Sequence, residues 1–153
     1  MQPVERGQLG VMRTYAVITA VVLLIAGVGG EIAVARETAL PMGLVLIPLL
    51  ILLAYPLLFA PARHYRALGY LRDGDELHVA SGVWVRTETV VPLDRVQHID
   101  VSQGPIERAF GVTRLVLHTA GTMNSLVVLP GLARATAEAI RDEIRARIRQ
   151  ESG

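Results

Sequence analysis

Apolar and polar positions change rhythm once along this chain. Thr14 to Gly30 is a run of 17 residues without a charge, and Thr38 to Ala62 is a second of 25. A helix rises about 1.5 Å per residue and needs roughly 20 residues to cross about 30 Å of hydrocarbon. The second run suffices. The first does so when its helix begins near Val11 or continues through Glu31 towards Ala35, which sets Arg13 and Glu31 near the two interfaces. The pattern predicts a tail of residues 1–10 and two transmembrane helices, about 11–32 and 39–60, joined by a short turn around Glu31 to Glu37. Tyr15 and Tyr55 suit interfacial or helix-packing positions. Pro48 and Pro56 each remove a backbone hydrogen bond and crowd the carbonyls of Leu44 and Leu52, so the second helix is expected to be kinked. A rival reading takes Arg6 and Arg13 as the basic start of a signal peptide, Tyr15 to Ala26 as its apolar stretch and Ala33-Val34-Ala35 as its cleavage site. The long spacing, Glu31 and the second apolar run weigh against it.

From about Tyr65 the period becomes two, the signature of strands with one buried face. Strands are expected over Tyr65–Leu71, Glu76–Ser81, Val83–Val91, Val96–Ser102, Val112–Ala120 and Ser125–Leu129. Asp73-Gly74-Asp75, Gly82 and Gly121-Thr122-Met123-Asn124 act as turns. In Val83–Val91 the odd-numbered residues share one face. In Val96–Ser102, Gln97, Ile99 and Val101 alternate with Val96, His98 and Asp100. Gly104 to Gly111 reads as one or two helical turns, with Pro105 at the first helical position and Gly111 ending it. Ile106 and Phe110, four apart, are expected to drop together onto the sheet. The last segment, 131–150, is an amphipathic helix whose apolar stripe is Ala133, Ala137, Ile140, Ile144 and Ile148. Glu143 is one turn from Arg147, and basic residues crowd the last turns, where they complement the helix dipole. Residues 63–153 thus form a domain large enough for one modest core.

Composition narrows the function. Hydrophobic residues make up 52% of the chain and charged residues 19%, with a mean hydropathy of +0.43, which argues against a purely water-soluble globule. The fifteen basic residues are all arginine and face fourteen acids, a formal charge of +1, so the basic excess that drives nucleic-acid binding is missing. Without lysine or cysteine the sequence has no Schiff-base amine, thiolate nucleophile or disulfide. It has no G-x-S-x-G and no phosphate-binding loop. Of the four histidines, His64, His78, His98 and His118, three fall on expected strands; they have no H-x-x-x-H spacing and read as polar or half-buried sheet residues, with a metal site of converging imidazoles as the alternative. No catalytic, cofactor-binding or metal-binding residue is assigned, and no cofactor is expected.

Arginine counts orient the hairpin. Arg6 and Arg13 precede the first apolar run and Arg63, Arg66 and Arg72 follow the second, against Arg36 alone in the connection. Five against one predicts both termini in the cytoplasm of a multi-pass membrane protein. Arg63, Arg66 and Arg72 are also candidate lipid-facing residues, each worth about 1 kcal/mol beside an anionic leaflet. A second polar group, Arg95 and Gln97 with Glu107 and Arg108, is a candidate interaction motif. Its structural reading has Arg95 forking onto Asp100 or Glu107 to pin the strand to the short helix.

A strand meander capped by one carboxy-terminal helix is the plan of a pleckstrin-homology (PH) barrel. The stretches Pro92-Leu93-Asp94-Arg95-Val96-Gln97, Gly104-Pro105-Ile106-Glu107-Arg108 with Phe110-Gly111, His118-Thr119-Ala120-Gly121 and Leu129-Pro130-Gly131-Leu132 resemble the bacterial PH-like domain proteins of the YdbS-like membrane family. The resemblance implies a membrane α-helical hairpin followed by an α+β PH-like barrel, set in the bacterial inner (plasma) membrane, non-enzymatic, often accompanied by a larger relative carrying several such domains and linked to cell-envelope stress. It carries no binding site: the turn Arg72-Asp73-Gly74-Asp75-Glu76 sets three acids beside one arginine, which would repel an anionic headgroup. The expected role is a protein-interaction or assembly platform, with a homo-oligomer or larger PH-like relative as partner besides membrane lipids, and no nucleic acid. The alternatives are a sensor of anionic headgroups acting through the juxtamembrane arginines and a small transporter or channel subunit.

Overall fold

The computed structural model describes residues 1–38, 41, 43–120 and 126–151. Two compact units result: Met12–Arg63, and Met1–Val11 together with His64–Gly153. The domain is therefore built from both flanks of the apolar hairpin.

Helix α1 runs over Gly7–Glu37, α2 over Leu46–Leu58 and α3 over Ala60–Ala67, so α2 lies wholly in the first unit and α1 and α3 each have residues in both. Two helical stretches, Gly7–Glu37 and Leu46–Ala67, are long and apolar enough to cross a membrane. Few of their side chains are buried: Ile25, Ile51, Leu52 and Leu58 are open to the surroundings, unlike the core helix of a soluble domain. The expected turn around Glu31 to Glu37 is instead the last part of α1, since that stretch holds no helix breaker before Pro41. The Glu31 carboxylate caps α2. It accepts hydrogen bonds from the backbone N–H of Gly43, of Val45 at 2.9 Å and of Leu46 at 3.2 Å, satisfying donors that every helix start leaves unpaired. A side chain at Gly27 would run into Leu49, so this glycine lets the two helices approach closely. Helix α2 runs unbroken through Pro48, in its first turn, and Pro56, in its interior. The interruption comes at Phe59, where Pro61 two residues later cannot donate to Leu57; bonds from Phe59 N–H to the Tyr55 carbonyl and from Arg63 N–H to the Phe59 carbonyl carry the chain across it.

The second unit is a seven-stranded sandwich with a closing helix. One sheet has the order β1-β2-β3-β4, formed by Gln2–Pro3, Gly69–Asp73, Glu76–Ser81 and Thr87–Pro92, and the other β5-β6-β7, formed by Val96–Ser102, Thr113–Thr119 and Leu126–Leu132, all antiparallel. The first ten residues are not a loose tail: Gln2 and Pro3 pair with Tyr70 and Gly69, Val4 enters the core, and Glu5 N–H donates to the Gly131 carbonyl at 2.7 Å. The expected strand from Tyr65 begins only at Gly69, because the helical stretch following α2 persists to Ala67. The expected strand from Val83 begins only at Thr87. Gly82 adopts φ +97° and the Val85 carbonyl fills the space of its missing Cβ, so residues 82–86 form the loop that lets Ser81 face Thr87. The turn expected at residues 121–124 lies outside the described residues.

Leu77, Val79 and Val91 from one sheet meet Val96, Ile99, Leu115, Leu117, Leu129 and Leu132 from the other. Val96 and Ile99 are both buried, although simple alternation separates them. A register shift between Val96 and His98 leaves Gln97 as a bulge, which turns Val96 inward. Helix α5, Arg134–Glu151, lays Ala137, Ile140 and Ile144 over this core, with Ile148 packed at its margin. Helix α4, Pro105–Ala109, ends before Gly111 at φ +67°. Its buried side chain is Glu107, whereas Ile106 is only half-buried and Phe110 is exposed. Phe110 lies against the first turns of α1, where side chains at Gly7 or Gly10 would collide with it. The expectation that Ile106 and Phe110 together anchor the short helix to the sheet is corrected: the anchor is the glutamate between them.

Candidate interaction surface

The outward face of the β5-β6-β7 sheet carries two rows fixed by register. His98 faces His118, which faces Leu126; Asp100 faces Val116, which faces Val128. The strands alternate, so Leu115, Leu117, Val127 and Leu129 point into the core and these six point out. Leu126 is 54% exposed and Val128 40%, on a strand that lies at the edge of its sheet. An edge strand bearing exposed branched aliphatic residues offers apolar area beside a sheet edge. Beside it, the two imidazoles share one carboxylate: His98 Nε2 lies 2.9 Å from Asp100 Oδ1 and His118 Nε2 3.5 Å from Oδ2, with ring centroids 5.7 Å apart. Among the described residues, no group of three His, Cys, Asp or Glu side chains is arranged to hold a metal ion.

The Glu107 carboxylate closes one end of this face from beneath. Arg114 on β6 donates to it from Nε at 2.8 Å, and Gly104 N–H donates at 2.6 Å. Val112 N–H donates to the Glu107 carbonyl at 3.0 Å and Gln103 Nε2 to the Val112 carbonyl at 2.8 Å, so the whole 103–114 crossover is bonded to itself. The pairing expected between Arg95 and Glu107 or Asp100 does not occur. Glu107 is taken by Arg114, and Asp100 faces the histidines. Arg95 lies in a 3-10 turn before β5 and Gln97 is the bulge, both exposed, while Arg108 is exposed on α4 beyond the far end of β5. Seven residues of strand, about 20 Å, separate the two halves of the expected motif.

The juxtamembrane arginines also part company. Arg63 Nη1 donates to the Tyr55 hydroxyl at 2.6 Å. Arg66 is exposed on α3. Arg72 is one strand length further on, paired with Glu143 of α5, next to a second bridge from Arg147 to Asp75. These two bridges clamp α5 to the β2–β3 hairpin. The residues that sequence reasoning passed over are Leu126, Val128 and Arg114. The signal for the first two was present: 126–129 is apolar on both faces, more than one buried face requires.

A family model described as Bacterial PH domain matches residues 9–148. The chain is also similar to a Bacillus subtilis (strain 168) protein named UPF0699 transmembrane protein YdbS, 38% identical over 84 residues. That alignment covers 55% of this chain and 51% of the relative, so the chain matches about half the length of that curated protein. No solved structure matches the chain.

Proposed function

The chain belongs to the bacterial PH domain family, and from that premise we propose that it is a non-enzymatic membrane protein whose PH-like domain is an assembly platform. The observation that carries the proposal is the pair Leu126 and Val128, exposed on the edge strand of the β5-β6-β7 sheet. The partner is a second copy or a larger PH-like relative, engaged through this face in the response to envelope stress. The membrane part of the reading is supported by two apolar helices with few buried side chains and by the similarity to a protein named as transmembrane. Because Met1–Val11 and His64–Gly153 make one compact unit, both flanks of the hairpin belong on the same side, which fits a double crossing with both termini in the cytoplasm.

The alternative, headgroup sensing by Arg63, Arg66 and Arg72, has weaker support, since Arg63 is bonded to Tyr55 and Arg72 to Glu143. A photocrosslinking residue placed at Leu126 or Val128 of the full chain in native membranes tests the platform. A discrete crosslinked partner, lost in the L126K/V128K double variant with the domain still folded, is the expected result. Uncrosslinked monomer alone at both positions overturns it.

A further inference from the structure

The β3–β4 loop, Gly82–Arg86, presents Trp84 at 85% exposure and Val85 at 76%. Trp84 is the single tryptophan of the chain. The loop holds these two side chains outward by construction: Gly82 takes φ +97°, and the Val85 carbonyl occupies the place where any larger residue would carry its Cβ. An indole with an adjacent valine is poorly suited to water and well suited to the boundary between hydrocarbon and headgroups, where an amphipathic ring has apolar contacts and a wet N–H.

Sheet register fixes where the loop lies. Ser81 faces Thr87, Ala80 faces Gly69 and Gly69 faces Pro3, so the loop is at the same end of the sheet as both chain connections to the hairpin. Pro3 is four residues before α1, and Gly69 is two residues after α3, itself eight residues or about 12 Å long. Within the domain, the loop is thus at the end of the sheet from which both connections to the apolar helices run. Charge agrees with position. Arg66 and Arg86 line one cleft at this end together with Met1, and Arg86 reaches the Met1 sulfur at 3.5 Å. The opposite end of the sheet is the Asp73-Gly74-Asp75-Glu76 hairpin. The arginines near that hairpin, Arg72 and Arg147, are held in bridges to Glu143 and Asp75, whereas at the loop end Arg66 and Arg86 line the cleft with Glu88 nearby.

We infer that the Gly82–Arg86 loop is a lipid anchor of the domain: Trp84 and Val85 enter the interface of the bilayer crossed by the hairpin, and Arg66 and Arg86 meet its anionic headgroups. This inference rests on the membrane-spanning reading and adds a third attachment to its two covalent ones. The loop then sets how the domain is tilted on the leaflet, and so which way the β5-β6-β7 face looks.

The full chain reconstituted in vesicles of phosphatidylcholine and phosphatidylglycerol provides the test, because all indole emission comes from Trp84. The chain is expected to float with the vesicles. Its emission shifts to the blue and is largely lost when the phosphatidylcholine is brominated, and acrylamide in the water has little access to it. In the V85D/R86E variant the quenching by brominated lipid falls and acrylamide gains access, with the circular dichroism of the chain unchanged. A chain that floats while Trp84 stays open to acrylamide and indifferent to brominated lipid overturns the anchor and leaves the membrane-spanning reading intact. A chain that does not float overturns both.

Discussion

Arg114 grips Glu107 from two nitrogens, Nε at 2.8 Å and Nη2 at 2.6 Å from the same carboxylate oxygen, and the carboxylate is almost fully buried, with Glu107 only 3% exposed. Arg114 itself is partly open to solvent. The pair is therefore unequal, and the two ways of breaking it differ. R114A leaves a buried carboxylate with the Gly104 N–H as its remaining donor and is expected to cost about 3–5 kcal/mol. E107A leaves an arginine that turns to water and is expected to cost about 1.5–3 kcal/mol. Denaturant unfolding followed by circular dichroism measures both; equal losses, or a larger one for E107A, contradict the assignment.

The amino-terminal strand is a structural part of the domain. Val4 is buried with the core, and the Tyr65 hydroxyl donates to its carbonyl at 3.0 Å. V4A removes two buried methyl groups and is expected to destabilise the domain by about 1.5 kcal/mol. A chain of residues 64–153 preceded by 1–11 on a flexible linker should resist limited proteolysis far longer than 64–153 alone. Equal lifetimes for the two would show that β1 contributes nothing.

The approach of α1 to α2 at Gly27 is open to a clean chemical test, because the chain has no cysteine of its own. The G27C/L49C double variant is expected to form an intramolecular disulfide under mild oxidant, detected as faster migration that reverts on reduction. Pairs moved to outward positions, such as I25C/L52C, should not react within one chain. Reaction at the second pair and not the first would refute the helix contact.

Asp142 carries a local pH signature. Arg141 Nε donates to its Oδ1 at 2.8 Å, and this bond, with the nearby charges of Arg141, Arg145 and Arg149, holds the carboxyl below its ordinary range against a smaller desolvation effect. A depressed folded value means that the contribution to stability is present above the ordinary pKa of 3.8 and is lost as the pH falls through the lower folded one. Carboxyl NMR should give Asp142 a midpoint under 3.8 that returns towards it in R141Q. The same midpoint in both chains would remove the bond from the account.

Local signals carried much of this architecture. The apolar runs, the bounds of β5, the Pro105 start and Gly111 end of α4 and the stripe Ala137, Ile140, Ile144 of α5 all follow from spacing within a few residues. Non-local pairing escaped. A strand as short as Gln2–Pro3 has no periodicity, and its partners Gly69 and Tyr70 lie beyond both apolar helices. The bulge at Gln97 moves Val96 to the other face without changing composition, so alternation alone assigns it wrongly. The candidate motif failed for a related reason. Arg95 and Glu107 are close in sequence but lie at opposite ends of β5, whereas Arg114 reaches Glu107 because the crossover folds back on itself. The exposed pair on β7 is harder to read, because a strand apolar on both faces does not say which face the core takes.

That the first strand precedes the hairpin and the other six follow it has a consequence for biosynthesis. The ribosome releases β1 long before its partner exists, and under the proposed double crossing the sandwich closes only once the chain has returned to its starting side. A nascent chain threaded with only one crossing would strand β1 across the bilayer from Gly69, leaving an incomplete sheet for quality-control proteases to find. Under the double crossing, the sandwich can close only in a chain whose two crossings are both complete.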